Sequence, residues 1–406
     1  MVNEVDVLNA VPESEQNWIS RVLKNETVGG LLLIAAAVFA LIWANSAWAN
    51  SYQSLTSYQI GPESLHLNLS LSTWAADFLL AVFFFVIGCE LKHEFVLGTL
   101  SNPRIAAVPI GAALGGMVVA AGIFLAFNYG TSAQVAWGLP ISTDVAFALA
   151  VLAIAGKRLP IELRSFLLTL AVVNDLGAII VIAIFYGHGF YLGWFLITVL
   201  LLVTFGILQS RKVTSLWIFL PLALIAWYAM FRSGIHATIA GVALGLLMRV
   251  RKTQGESISP CDKAEVKLRP FTAGFAVPVF AFLVAGVNVV GTSLEQALSD
   301  PLTIGVLCGL IIGQPVGVTA GAFIVSRFTK GTLNPSLSWW DVVVVGSLAS
   351  IGFTVALLVA EVSFGDDASM MVTSKFAIIF TNLVAIAVSV LAISLRSRAI
   401  GRYKTE

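Results

Sequence analysis

Apolar runs of roughly 17–25 residues recur twelve times along this chain, each long enough to cross a bilayer core of about 30 Å as a helix. They cover 28–49, 74–91, 104–127, 134–155, 160–186, 191–209, 215–231, 234–250, 270–290, 301–325, 340–364 and 375–395. Only 11% of the 406 residues are charged, against about 25% in an ordinary soluble domain. That excludes a soluble enzyme and predicts an all-α polytopic membrane protein. A net charge of +1 provides no field for nucleic acid, and Cys89, Cys261 and Cys308 have no paired or metal-ligand spacing.

Orientation follows from the basic residues of the short loops. One set of loops, together with both tails, holds 21 of the 23 Lys and Arg; the other holds only Arg232 and Lys375. The reading places both termini in the cytoplasm, with a cytoplasmic segment over 1–27, a transporter domain over 28–396 and a cytoplasmic tail over 397–406. The polar, mixed-charge start of the chain does not read as a signal peptide. In the longest outward connection, 50–73, Leu65-His66-Leu67-Asn68-Leu69-Ser70-Leu71-Ser72 alternates at period 2, after a Gly61-Pro62 turn. This predicts a small extracytoplasmic β-hairpin with a partner strand in 52–60. Its open edge either packs within the loop or pairs with a second copy of the chain.

A carboxylate near the centre of a spanning helix costs on the order of 2.5–3.5 kcal/mol on insertion scales and needs a reason to be there. Three acids lie deep: Asp77, Asp144 and Asp175. Glu90, Glu94, Asp341 and Glu361 lie near helix ends, where their charge can reach water. Asp144 follows Pro140-Ile141-Ser142-Thr143. There proline removes a backbone donor and the short polar side chains can serve freed backbone groups, as a broken span requires. Asp175 sits in Val173-Asn174-Asp175-Leu176-Gly177 with no basic residue at helical spacing. Asp77 reads equally as structural or as lining a cavity mouth.

The eleventh run carries Ala349-Ser350-Ile351-Gly352-Phe353-Thr354, small and hydroxylic at mid-span like Ile141-Ser142-Thr143-Asp144. Aligning Ser142 with Ser350 also sets Asn174 against Asn382. Two interrupted segments in corresponding halves point to a transport site between inverted-topology repeats, here spans 3–5 and 10–12.

Four motifs then stand out together: Ala81-Val82-Phe83-Phe84-Phe85-Val86-Ile87-Gly88-Cys89-Glu90-Leu91-Lys92, Thr143-Asp144-Val145-Ala146-Phe147-Ala148-Leu149, Asp175-Leu176-Gly177-Ala178-Ile179 and Ser233-Gly234-Ile235-His236-Ala237-Thr238. In order and over nearly the whole membrane region, the chain resembles the bacterial NhaA-type sodium/proton antiporters. The resemblance implies an inner-membrane exchanger serving pH homeostasis and salt tolerance. It further implies discontinuous helices in spans 4 and 11, and a homodimer formed through the 50–73 hairpin. It suggests a core bundle near 104–186 and 301–396, beside an interface bundle near 28–91 and 191–290. It puts Na⁺ or Li⁺ and protons on Asp144 and Asp175, with Thr143 at the helix break and Asp77 in support. Glu90, Glu94, His236, Glu265 and Lys267 match positions associated with pH response.

The chain departs from that pattern in a coupled way. Asn174 stands where many members have a first aspartate, and Gln314 where they have a lysine, a pair that forms a buried ion pair in the family. Losing one partner leaves an uncompensated charge costing about 3–5 kcal/mol, whereas replacing both by neutral amides avoids it. Val266 and Arg269 stand where others carry histidines.

The expected activity is Na⁺(Li⁺)/H⁺ antiport by competition at buried carboxylates, without covalent chemistry or cofactor. Asn174 and Gln314 favour electroneutral exchange. The alternatives are electrogenic exchange of two protons per Na⁺ and a sodium-coupled organic-anion symporter. An intramembrane aspartyl protease built on Asp144 and Asp175 is disfavoured, because Asp175 lies in no Gly-x-Gly-Asp setting. The half-helix carbonyl ends that a lysine would have faced are left without a cation.

Overall fold

The computed structural model describes residues 26–187, 189–253, 255–288, 294–329, 331–365 and 367–403. Most of the expected N-terminal segment 1–27, the end of the tail 397–406, Val290 and Lys330 lie outside them.

A chain surrounded by hydrocarbon must satisfy its backbone internally, and these apolar runs do so as helices. Among the described residues, seven are long and apolar enough to cross a membrane: α3 (Leu71–Val96), α4 (Pro103–Asn128), α6 (Ile161–Phe185), α7 (Leu192–Ser210), α10 (Pro260–Ala285), α11 (Pro301–Phe328) and α14, whose span is Ala368–Ala399. Two further helix pairs are apolar enough when taken together but are bent at a short break: Ser132–Ile141 with α5 (Val145–Ala155), at 48°, and α12 (Trp339–Ala349) with α13 (Thr354–Phe364), at 46°. Shorter apolar helices are α1 (Glu26–Ala44), α8 (Leu216–Arg232) and α9 (Thr238–Leu247). The short α2 covers Ala49–Thr56.

Local chemistry sets the ends. Asn102 and Asp300 cap α4 and α11 ahead of a proline at the first helical position. Ser338 and Asp341 form a capping box on α12. Asp341 also accepts two hydrogen bonds from Arg396, at 2.7 and 3.0 Å, and Lys375 lies 3.6 Å from Glu361. Both acids at helix ends therefore have cationic partners, but only Glu361 is partly exposed; Asp341 is 1% exposed, so its charge is met by Arg396 and the cap rather than by water as its position suggested.

The alternating segment at 65–72 forms far less strand than its pattern suggests. β1 (Gln59–Ile60) and β2 (Leu69–Ser70) pair antiparallel over two residues each, Gln59 with Ser70 and Ile60 with Leu69. Glu63–Leu65 is a single helical turn, and His66 takes a left-handed conformation at φ 56°. Ser70 then caps α3, which begins at Leu71, while α2 occupies most of the expected partner strand. Capping chemistry and the turn override the period-2 pattern.

The chain packs as two compact units. One comprises the described residues up to Ala40, Trp48–Gly98 and Ala183–Val284; the other comprises Leu41–Ala47, Thr99–Ile182 and Ala285 onward. In the first, Cys89, Phe205, Leu244, Met248, Val250 and Cys261 form one core cluster. Ala81, Trp227, Met230, Ala237 and Ala240 form another. In the second, α4 and α11 cross through paired G-x-x-x-G motifs, Gly111/Gly115 against Gly317/Gly321. A Cβ on Gly115 would lie 2.9 Å from the Gly321 Cα, so only glycine allows this approach.

Candidate functional site

Within the second unit the two helix breaks meet. Ser142 and Thr143 continue the chain between Ile141 and α5, and Ser350 to Phe353 do so between α12 and α13. The Asp144 N–H donates to the Ile351 carbonyl at 2.7 Å, and the Thr143 hydroxyl donates to the Ala349 carbonyl at 2.8 Å. Gly352 sits where a Cβ would strike the Ser142 carbonyl oxygen. Each break thus supplies partners for the other's freed backbone groups, as non-helical backbone at membrane depth requires.

The helix N-termini converge on one carboxylate. Asp144 caps α5, accepting from the Phe147 N–H at 3.3 Å. The same side chain accepts from the Thr354 N–H at 3.4 Å, at the first residue of α13, and from the Thr354 hydroxyl. Two positive helix ends and one acid compensate each other here. Thr354 belongs to the motif that marked the second break, but its sequence gave it no role; its contact with Asp144 comes from residues 210 apart.

The opposite, carbonyl-bearing ends are served by neutral amides. Gln314, fully buried, donates from Nε2 to the Pro140 carbonyl at 3.0 Å. Asn174, also fully buried, donates from Nδ2 to the Thr143 hydroxyl at 2.9 Å, which donates onward to Ala349. Asn382, the counterpart of Asn174 in the repeat alignment, donates to the Gly352 carbonyl at 2.9 Å. The carbonyl ends without a facing lysine are therefore met by directional N–H and O–H donors. Neither the Asn174 nor the Gln314 amide oxygen has a hydrogen-bond partner among the described residues. The two amides are thus not bonded to one another, unlike the ion pair that the resemblance puts at these positions.

Asp175 is buried next to Asn174 on α6, 7% exposed. Ser142, Thr143, Asn174, Gln314, Ser350 and Thr354 are buried polar residues in the breaks or hydrogen-bonded to them. Such a donor set suits a hard monovalent cation or a proton rather than a soft metal.

The remaining expected residues lie in the first unit. Asp77 sits on a π-turn in α3 (Ala75–Leu79), 3.5 Å from the His236 Nε2, and its backbone carbonyl accepts from Trp227 at 2.9 Å. The family resemblance implies separate roles for Asp77 and His236, yet their side chains lie in one contact. Arg269 bonds both Glu90 and Glu265, the latter at 2.8 Å, so the arginine standing where others have histidine joins two of the expected pH-response acids. Glu94 is half-buried and Lys267 is exposed. Outside the spans, Arg249 holds the Glu256 carboxyl down to about 2 through paired hydrogen bonds of 2.6 and 2.8 Å, helped by the Thr253 N–H.

The family described as Na⁺/H⁺ antiporter 1 matches residues 20–393. The chain is 47% identical over 394 residues to the Na⁺/H⁺ antiporter NhaA of Frankia casuarinae, covering 96% of this chain and 89% of that one. It is 47% identical over 381 residues to NhaA of Mycolicibacterium smegmatis, covering 92% and 88%. It is 45% identical over 385 residues to NhaA 3 of Streptomyces coelicolor, covering 94% and 81%.

Proposed function

Because this chain belongs to the Na⁺/H⁺ antiporter 1 family, we propose that it exchanges Na⁺ or Li⁺ for protons electroneutrally, by competition at Asp144 and Asp175. It is an integral membrane protein; the proposal places it in the bacterial inner membrane with twelve spans and both termini cytoplasmic. A dehydrated Na⁺ needs several oxygen ligands. Asp144, held between the N-termini of α5 and α13, serves as a fixed ligand, with Thr143 beside it at the break. Asp175 carries the proton that the cation displaces. Rocking of one bundle against the other, with the site held at the crossing of inverted repeats, gives each side access in turn. Asp77 supports the path, and Glu90, Glu94, His236, Glu265 and Lys267 adjust activity to pH. A homodimer formed through 50–73 completes the reading, supported by exposed Tyr58, Ile60 and Leu65 beside the two-residue strands.

The observation that carries electroneutrality is the engagement of both buried amides as neutral donors, Gln314 to the Pro140 carbonyl and Asn174 to Thr143. Neither amide can accept a transported proton, and no lysine stands at 314 to release one. The test is luminal pH in proteoliposomes after Na⁺ addition, with K⁺ and valinomycin setting the voltage. A sodium-driven pH change independent of voltage is expected. A reversal potential requiring two protons per Na⁺ refutes electroneutrality and returns both protons to Asp144 and Asp175. Sodium uptake that needs an organic anion and moves no protons refutes antiport.

A further inference from the structure

The facing ends of α3 and α10 hold a cluster that the exchange reaction does not use. His93, near the end of α3, lies with its Nδ1 3.6 Å from the Asp262 Oδ1 in the first turn of α10. Glu265, three residues further on, projects from the same helix face. The ligating atoms of His93, Asp262 and Glu265 all lie within 4.8 Å of one another. Asp262 is 5% exposed, and its Oδ1 is buried without a hydrogen-bond partner among the described residues. Leaving such an oxygen unsatisfied is costly, and a cation shared with His93 removes the cost.

The charge around the cluster points the same way. Glu90, Glu265 and Asp262 bring three carboxylates, and Arg269, bonded to Glu90 and Glu265, brings one positive charge. With His93 neutral, as a metal ligand must be, an excess of two negative charges remains. One imidazole nitrogen and two carboxylate oxygens form the mixed donor set of zinc-like first-row divalent ions rather than of Mg²⁺, which takes oxygen and keeps its waters. The His93 side chain is 32% exposed, which leaves an approach for the ion and a position for water.

We propose that His93, Asp262 and Glu265 form a binding site for a divalent transition-metal ion of the Zn²⁺ class, bridging α3 and α10. A small closure of the three side chains brings their atoms to coordination distance of one ion. The site draws on His93 and Asp262, neither of which belongs to the exchange site, and does not depend on the stoichiometry of exchange.

The test is calorimetric titration of Zn²⁺ into the purified full-length protein in detergent at pH 7.5. One saturable site per chain is expected, not displaced by excess Mg²⁺. His93→Ala and Asp262→Asn should each weaken it at least about tenfold, the loss typical of damage to a metal's ligand environment. Should either variant fail to fold, the wild-type chain still decides: bound Zn²⁺ should protect His93 from diethylpyrocarbonate, read site by site by mass spectrometry against His66 and His236. Absence of saturable binding, equal affinity in folded variants, or modification of His93 unaffected by Zn²⁺ overturns the proposal.

Discussion

Gln314→Met tests whether an amide donor holds the carbonyl end of the broken span. The substitution keeps an unbranched side chain of similar length and removes only the donor and acceptor. Gln314 is fully buried, and its Nε2 donates to the Pro140 carbonyl at 3.0 Å, with Leu139, Pro140 and Ile141 all buried. Removing the donor leaves that carbonyl unsatisfied, at about 1–3 kcal/mol, while removing the unpartnered Oε1 returns part of that cost. An unfolding entropy of about 2.1 cal/mol/K per residue makes the expected change a fall in melting temperature of at most about 4 °C for a chain of this length. Thermal unfolding of purified wild type and variant in the same detergent measures it. Exchange in clamped proteoliposomes should remain independent of voltage, since methionine carries no charge. A melting temperature raised above wild type, as relief of the orphaned oxygen alone would give, would show that the Pro140 carbonyl does not depend on Gln314 and would remove the amide from the argument. Voltage-dependent exchange in the variant would show that the charge count lies elsewhere.

Thr143→Val removes both the acceptor for Asn174 and the donor to the Ala349 carbonyl, so a loss of about 2–4 kcal/mol is expected from melting, with Thr143→Ser restoring most of it. Gly115→Leu should abolish monodisperse protein on gel filtration because the side chain meets α11 backbone, whereas Gly122→Leu, with nothing within 4 Å of its Cβ, should behave as wild type. Glu256 has its folded-state pKa lowered from 4.5 to about 2, so its pairing with Arg249 stabilises fully above pH 4.5 and fades as pH falls toward 2. Glu256→Gln should therefore lower the melting temperature slightly at pH 7, by less than about 1 kcal/mol for a partly exposed pair, and have no effect near pH 2.

The spans were legible because hydrophobic length is a local property: runs such as 104–127 and 160–186 reappear as α4 and α6 within a residue or two. The first break was equally readable, since Pro140 and the Ser142-Thr143-Asp144 run are a local chemical signal. The second has no proline and surfaced only by alignment with the first, yet the pair bends by nearly the same angle. The short hairpin was misjudged in extent because a period-2 pattern does not report a helix cap at Ser70 or a left-handed His66. What the sequence could not give were contacts between residues far apart in the chain. Gln314 with Pro140 is separated by 174 positions and Arg269 with Glu90 by 179. Periodicity and capping have no access to such pairs, and so Arg269 read as a departure rather than as the link between Glu90 and Glu265.

The exchange of a buried ion pair for two amides is consistent with the energetics of crossed helix breaks. A break exposes N–H groups at one end and C=O groups at the other, and both need partners at membrane depth. The N–H ends share Asp144, an acid that a cation exchanger needs anyway. A lysine and an aspartate at the other end would have to leave water together, at several kcal/mol per ion before their attraction returns it. Gln314 and Asn174 avoid that desolvation, and each leaves one buried amide oxygen without a hydrogen bond, at about 1–3 kcal/mol. The orphaned oxygens lie on side chains that donate to the breaks themselves. Oxygen is the atom a dehydrated Na⁺ seeks, so under the proposed exchange the amides that replace two charges would also offer neutral ligands. The proposal couples structural support for the breaks to the charge count of exchange: restoring charge with Gln314→Lys and Asn174→Asp together should make exchange follow voltage, and either change alone should destabilise the fold.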